Sequence, residues 1–144
     1  MDPLNFQVSR PRGPREKLAG IFFTARLVDK LRASLPGGEL NGYIPTAGFS
    51  ALWAHYTKID LDELRDVVAR AASERDVEVW IEGRTVGIDR DLINGKMERY
   101  ASDRMPAEMR ELFEQLYPAE LRERCARIFD LLDADDARLY SARA

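Results

Sequence analysis

Pro14, Pro106 and Pro118 each stand directly before a run of apolar residues at three- and four-residue spacing. Proline fits the first position of a helix, where its missing N–H would go unpaired anyway. Three such starts predict several short helices rather than a few long ones. The stripe after Pro14 is Leu18, Ile21, Phe22, Ala25 and Val28, stopped by Pro36-Gly37-Gly38. Met109, Leu112, Phe113 and Leu116 follow Pro106, and Leu121, Cys125, Ile128, Phe129 and Leu132 follow Pro118. Between these lie Phe49, Leu52, Trp53 and Tyr56, an aromatic-faced helix. Asp60 caps a helix carrying Leu61, Leu64, Val67 and Val68, with Glu63 completing a capping box, and Asp89 caps one carrying Leu92, Ile93, Met97 and Tyr100.

One stretch reads two ways. Ser73 can cap a helix that puts Val77, Trp80 and Ile81 on one face, with Trp80 buried and Glu78 and Glu82 outward. Val77, Val79 and Ile81 also alternate, and Glu82-Gly83-Arg84 could turn into Thr85–Ile88 as a hairpin. The expected fold is therefore all-α, a compact domain of six to eight short helices over residues 14–144 behind an extended arm at 1–13. The alternative is α+β with a small hairpin at 77–88.

The 144 residues suffice to bury a core without disulfide or metal. Cys125 is the single cysteine, and the first residues carry no secretory signal pattern. With the longest uncharged stretch, Leu40–Thr57, too polar to span a bilayer, the expectation is a soluble, cytoplasmic protein with no membrane association. Residues 10–32 carry seven Lys/Arg against two Asp/Glu, a net +5, which leaves −8 for the rest of a chain of net −3. A basic N-terminal segment on an acidic body attracts that body, and the overall charge disfavours nucleic acid as a partner.

On the helix expected from Pro14, Arg15, Arg26 and Asp29 lie on the flank of the apolar stripe, with Lys30 slightly further round and Arg32 near its middle. Buried charge must be paired. Asp29 is three residues from both Arg26 and Arg32, and the expected pair is Arg26–Asp29, facing segment 40–56. A salt-bridge network bracing the fold is one reading. The other is an anion site in which Arg12, Arg15, Arg26 and Lys30 donate to a phosphate or carboxylate, aided by the helix dipole near Pro14. Tyr43, Phe49, Trp53 and Tyr56 could line an adjoining pocket, so the candidate ligand residues are Arg12, Arg15, Arg26, Asp29, Lys30, Tyr43 and Trp53.

No catalytic set stands out. His55 is the single histidine and lies off the aromatic face, and the loop glycines Gly37, Gly38, Gly42 and Gly48 match no phosphate-binding fingerprint. Asp130, Asp133, Asp135 and Asp136 lack the pattern of a calcium loop; Asp133 reads instead as the cap of a short last helix, with Asp136 near its positive end. No cofactor and no metal are expected. The leading functional expectation is a non-enzymatic binding or regulatory module for an anionic small molecule or protein. The alternatives are a small enzyme, holding an anionic substrate with Arg12, Arg15 or Arg26 and moving protons with Asp29 or a tyrosine, and an interaction domain docking an acidic protein on its basic arm.

The run Pro11-Arg12-Gly13-Pro14-Arg15-Glu16-Lys17-Leu18-Ala19-Gly20, followed by Arg26-Leu27-Val28-Asp29-Lys30-Leu31-Arg32-Ala33, resembles a bacterial family, domain of unknown function 5069. The likeness continues through Gly42-Tyr43-Ile44-Pro45, Gly48-Phe49-Ser50, Ala72-Ser73 to Trp80, and Leu131-Leu132-Asp133-Ala134-Asp135-Asp136. Gly13 stands where serine is common, and Thr24-Ala25 where Leu-Pro is common. The resemblance implies a mainly helical domain, tips Ser73–Ile81 toward helix, and supplies no activity.

Overall fold

A computed structural model of the protein describes residues 1–141; the last three positions of the expected 14–144 domain lie outside the described residues. Among the described residues eight α-helices follow one another: α1 Thr24–Ala33, α2 Phe49–Thr57, α3 Leu61–Arg70, α4 Glu74–Arg84, α5 Arg90–Glu98, α6 Ala107–Leu116, α7 Ala119–Arg124 and α8 Ile128–Ser141, with a 3-10 turn at Ser102–Arg104 before α6. No β-ladder forms among the described residues, only three isolated bridges. The fold is all-α.

The local start signals work as their chemistry requires. The Asp60 carboxylate accepts the N–H groups of Asp62 and Glu63 at the head of α3, and Asp89 accepts that of Leu92 in α5. Ser73 and Asp76 form a reciprocal capping box, so residues 74–84 are helical and the hairpin at 77–88 does not exist. Val77 and Ile81 are buried, as that helix demands. Trp80 is only partly buried, and Glu78 turns inward to accept the Ala19 N–H at 3.0 Å.

The helix expected from Pro14 begins ten residues later, at Thr24. Residues 14–23 are turns: Leu18 and Ile21 exchange backbone hydrogen bonds around Ala19 and Gly20, both with positive φ, and the Phe23 N–H returns to the Pro14 carbonyl at 2.7 Å. Side chains of α4 and α5 take the backbone groups that a helix would have paired. Glu78 accepts from Ala19, Arg90 donates to the Ala19 carbonyl, and Asn94 both accepts from Phe22 and donates to Gly20. Tertiary hydrogen bonds thus override the local apolar period. The last two helices differ likewise. The stripe after Pro118 is broken at Cys125–Arg127, where Ala126 and Ile128 pair with Ser102 and Tyr100. Asp133 lies inside α8 and caps nothing.

The decisive feature is the position of α1. Nine of its ten residues are buried, so it has no solvent face. Helices α2, α3 and α8 pack against it, with Phe23, Phe49 and Phe129 in mutual contact at one end and Trp53, fully buried, donating its indole N–H to Thr24 Oγ1 at 2.9 Å. Residues 1–13 pack on the body: Leu4 and Phe6 bond to the backbone at Arg32 and Glu39, and the Phe6 ring is fully buried.

Candidate functional site

Because α1 is central, three of its four charged residues, Arg26, Asp29 and Lys30, are buried, at 2%, 5% and 6% exposure. Each must find compensation from another element. They do so differently, and not with each other.

Arg26 meets Asp136 of α8 in a forked pair, Nη1 to Oδ2 at 2.6 Å and Nη2 to Oδ1 at 3.0 Å. The same carboxylate accepts the Tyr43 hydroxyl at 2.7 Å, and the guanidinium lies over the Tyr43 ring. Burial opposes the charge on Arg26, and Asp136 more than offsets it. Burial raises the Tyr43 hydroxyl pKa, and its hydrogen bond to Asp136 adds to that, so Tyr43 keeps its proton. The expected Arg26–Asp29 pair is therefore not made. Asp29 instead receives Arg12, from the main-chain N–H at 2.9 Å, Nε at 3.0 Å and Nη2 at 2.9 Å, and Arg12 continues to Glu74. Arg26 and Arg12 are joined by one bond, Arg26 Nη1 to the Arg12 carbonyl at 3.3 Å.

Arg15 sits at a third place, held by Glu98 of α5 and by Asp130 and Asp133 of α8 at 2.7–2.8 Å. With no helix at Pro14, the helix dipole expected there is absent. The basic segment thus meets the acidic body carboxylate by carboxylate.

Lys30 is different. Its amine donates to Ser50 Oγ at 3.3 Å and stands over the Phe23 ring, 5.2 Å from the centroid. Among the described residues no carboxylate lies within ion-pairing distance of it. Burial pushes its pKa down to about 7, and the Arg26 charge one helical turn earlier adds to that. An ammonium with three donors and one hydroxyl partner has capacity to spare.

Lys30 also borders a cavity. A cavity of about 170 Å³ lies between α1, the loop 41–48, the end of α6 and α8. Arg26, Lys30 and Tyr43 line it, with Asn41, Gly48, Phe113, Tyr117, Leu132, Asp135 and Arg138. Asp135 is occupied by Arg138 at 2.7 Å, and burial raises the Tyr117 hydroxyl to about 12. With Asp136 matched to Arg26 and Asp135 to Arg138, the protonated Lys30 amine is, among the described residues, the charge on the wall without an ion-pair partner.

Of the seven candidate residues, the cavity gathers Arg26, Lys30 and Tyr43; Arg12 and Asp29 form a separate node, Arg15 another, and Trp53 is core. The sequence reading missed Ser50, Tyr117, Asp135, Asp136 and Arg138 as wall or partner residues. Asp136 could have been found only as one of four acidic residues near the end of the chain, and nothing local marks it as the partner of Arg26. His55 is exposed against Tyr56, Cys125 is buried, and the described residues contain no cluster of His, Cys, Asp or Glu suited to a metal. No described helix is long and apolar enough to cross a membrane. No curated protein matches the sequence. Residues 8–138 do match one protein family, from the end of the N-terminal segment through most of α8, so the chain belongs to the family described as Domain of unknown function (DUF5069).

Proposed function

We propose that the protein is a binding or regulatory module that takes a small anionic molecule into the cavity beside Lys30. The observation that carries this reading is the buried amine with no carboxylate partner, on the wall of a space of about 170 Å³. At about 30 Å³ per water, such a space holds on the order of five waters, or a small carboxylate or phosphate in their place. The neighbouring charges are mutually satisfied, so an anion entering there meets Lys30 rather than competing with an existing pair. An acidic protein on the N-terminal segment is less well supported. It would have to displace Asp29, Glu74 and Glu98 from Arg12 and Arg15. The enzymatic alternative loses one of its two proposed proton carriers, because Asp29 already accepts three bonds from Arg12.

A thermal-shift series with phosphate, acetate and small dicarboxylates tests the proposal. An anion at 100 times its Kd stabilises the fold by about 2.7 kcal/mol. At this chain length that is a midpoint rise on the order of 5–10 °C. Lys30→Met should abolish the rise, while Arg15→Ala, remote from the cavity, should retain it. Affinity should also weaken as pH rises through about 7, where Lys30 gives up its charge, and binding below that should be accompanied by little proton uptake. No response to any anion, or a response undiminished in Lys30→Met, overturns the reading.

A further inference from the structure

Lys30 has the surroundings of an amine that reacts as well as one that attracts. Lysine becomes a nucleophile in proteins when its ammonium is desolvated or set beside another cation. Both conditions hold. The side chain is 6% exposed, and Arg26, whose charge is permanent, precedes it by one turn on the same helix. A structural lysine at such depth ordinarily has a carboxylate to hold it; this one has the Ser50 hydroxyl and a phenyl ring. The residue is not enclosed by core on every side, since Lys30 shares the cavity wall with Tyr43, Tyr117 and Arg138.

We propose that Lys30 captures a small oxo acid in this cavity, its amine condensing with an aldehyde or ketone carbonyl to form an imine. The inference rests on the proposed anion site, because the carboxylate of such a molecule is drawn in by the same positive wall.

The step balances without an added reagent. The unprotonated Nζ attacks the carbonyl carbon, a C–N bond forms, and the carbonyl π-electrons move to oxygen. The resulting carbinolamine loses that oxygen as water, which carries away the two hydrogens of the amine, and the C=N bond remains. A pKa near 7 supports this: at neutral pH the amine is divided between the charged form, which attracts the carboxylate, and the free form, which attacks. Tyr117, which burial keeps protonated, is a proton donor on the wall for the departing oxygen.

The test is reductive trapping. The full chain is incubated at neutral pH with glyoxylate and sodium cyanoborohydride, which reduces imines to stable secondary amines, and the product is mapped by peptide mass spectrometry. The other lysines, Lys17, Lys58 and Lys96, are exposed and serve as internal controls. Each unit of lowered pKa gives about tenfold more free amine at neutral pH, so the adduct on Lys30 should exceed that on any control lysine by at least about tenfold. Inorganic phosphate, which cannot form an imine, should protect Lys30 by occupying the cavity. Lys17→Met should leave the Lys30 adduct unchanged. Modification of the three exposed lysines with Lys30 untouched refutes carbonyl capture. If phosphate and acetate still raise the melting midpoint in that case, the anion site stands without it. If Lys30 is trapped but phosphate neither protects it nor stabilises the fold, the capture stands and the anion reading falls.

Discussion

A guanidinium at 2% exposure and a carboxylate at 3% are tolerated in a protein interior only as a pair, and Arg26 and Asp136 are held in that condition by two short bonds. Removing one partner leaves the other charged, buried and unmatched. Arg26→Ala should therefore destabilise the domain by about 3–5 kcal/mol in urea denaturation, whereas replacing both Arg26 and Asp136 with apolar residues of similar volume should recover much of the loss. An Arg26→Ala variant as stable as the parent would mean that Asp136 reaches water. Lys30 makes the opposite prediction. Its pKa in the fold is about 7 against 10.5 in the open chain, so below 10.5 the unfolded chain binds a proton that the folded one binds weakly. Stability from this group is full above about pH 10 and is lost as pH falls toward 7. Lys30→Met removes that loss and should stabilise the fold by on the order of 3–5 kcal/mol at pH 7 and below. The gain should vanish near pH 10; a variant equally or less stable than the parent at pH 6 would contradict the burial of an unpaired amine.

Among the elements, those whose ends are governed by residues within a turn or two were readable from the sequence. Asp60, Ser73 and Asp89 start α3, α4 and α5 with bonds that span three residues at most. Segment 14–23 was not readable as turns, because the groups that hold it are Glu78, Arg90 and Asn94, 59 to 74 residues away. The candidate site divides the same way. Arg26 and Lys30 are one turn apart on a single helix, and their burial follows from its apolar flanks. Ser50 and Asp136, which distinguish the satisfied cation from the unsatisfied one, are brought in by packing. Gly48 shows how tightly the loop wall is set. As the residue before α2 it has φ 69° and ψ −126°, a conformation essentially reserved for glycine, and a Cβ there would lie 3.3 Å from the Phe113 ring on the cavity wall. Gly48→Ala should cost about 1–3 kcal/mol of stability. It should also weaken anion stabilisation beyond that loss, since the strained loop carries Tyr43. Unchanged stability would show that the loop finds another path into α2.

For the molecule as a whole, the N-terminal segment decides whether the charged interior is closed. It pairs with residue 39 through Phe6 N–H to the Glu39 carbonyl at 2.8 Å and Glu39 N–H to the Leu4 carbonyl at 3.0 Å. The Phe6 carbonyl accepts the Tyr140 hydroxyl of α8 at 2.7 Å, and the Phe6 ring packs edge-on to Tyr43 at 5.3 Å. The strap therefore touches α1, the cavity loop and the last helix, and braces the tyrosine that completes the Arg26–Asp136 node. Phe6 is fully buried, so Phe6→Ala should cost about 3–5 kcal/mol, the usual range for deleting a core phenyl ring. Because the segment joins elements from both ends of the chain, the loss should appear as one cooperative shift, not as fraying of residues 1–8. Far-ultraviolet circular dichroism reads the helices, and tryptophan fluorescence reads Trp53 beside α1 and Trp80 in α4. The two transitions should coincide and move together to lower denaturant. If both stay where they are in the parent, and hydrogen exchange quickens only over residues 1–8, the strap is an appendage that opens locally. In that event Tyr43 and Asp136 hold Arg26 without its help.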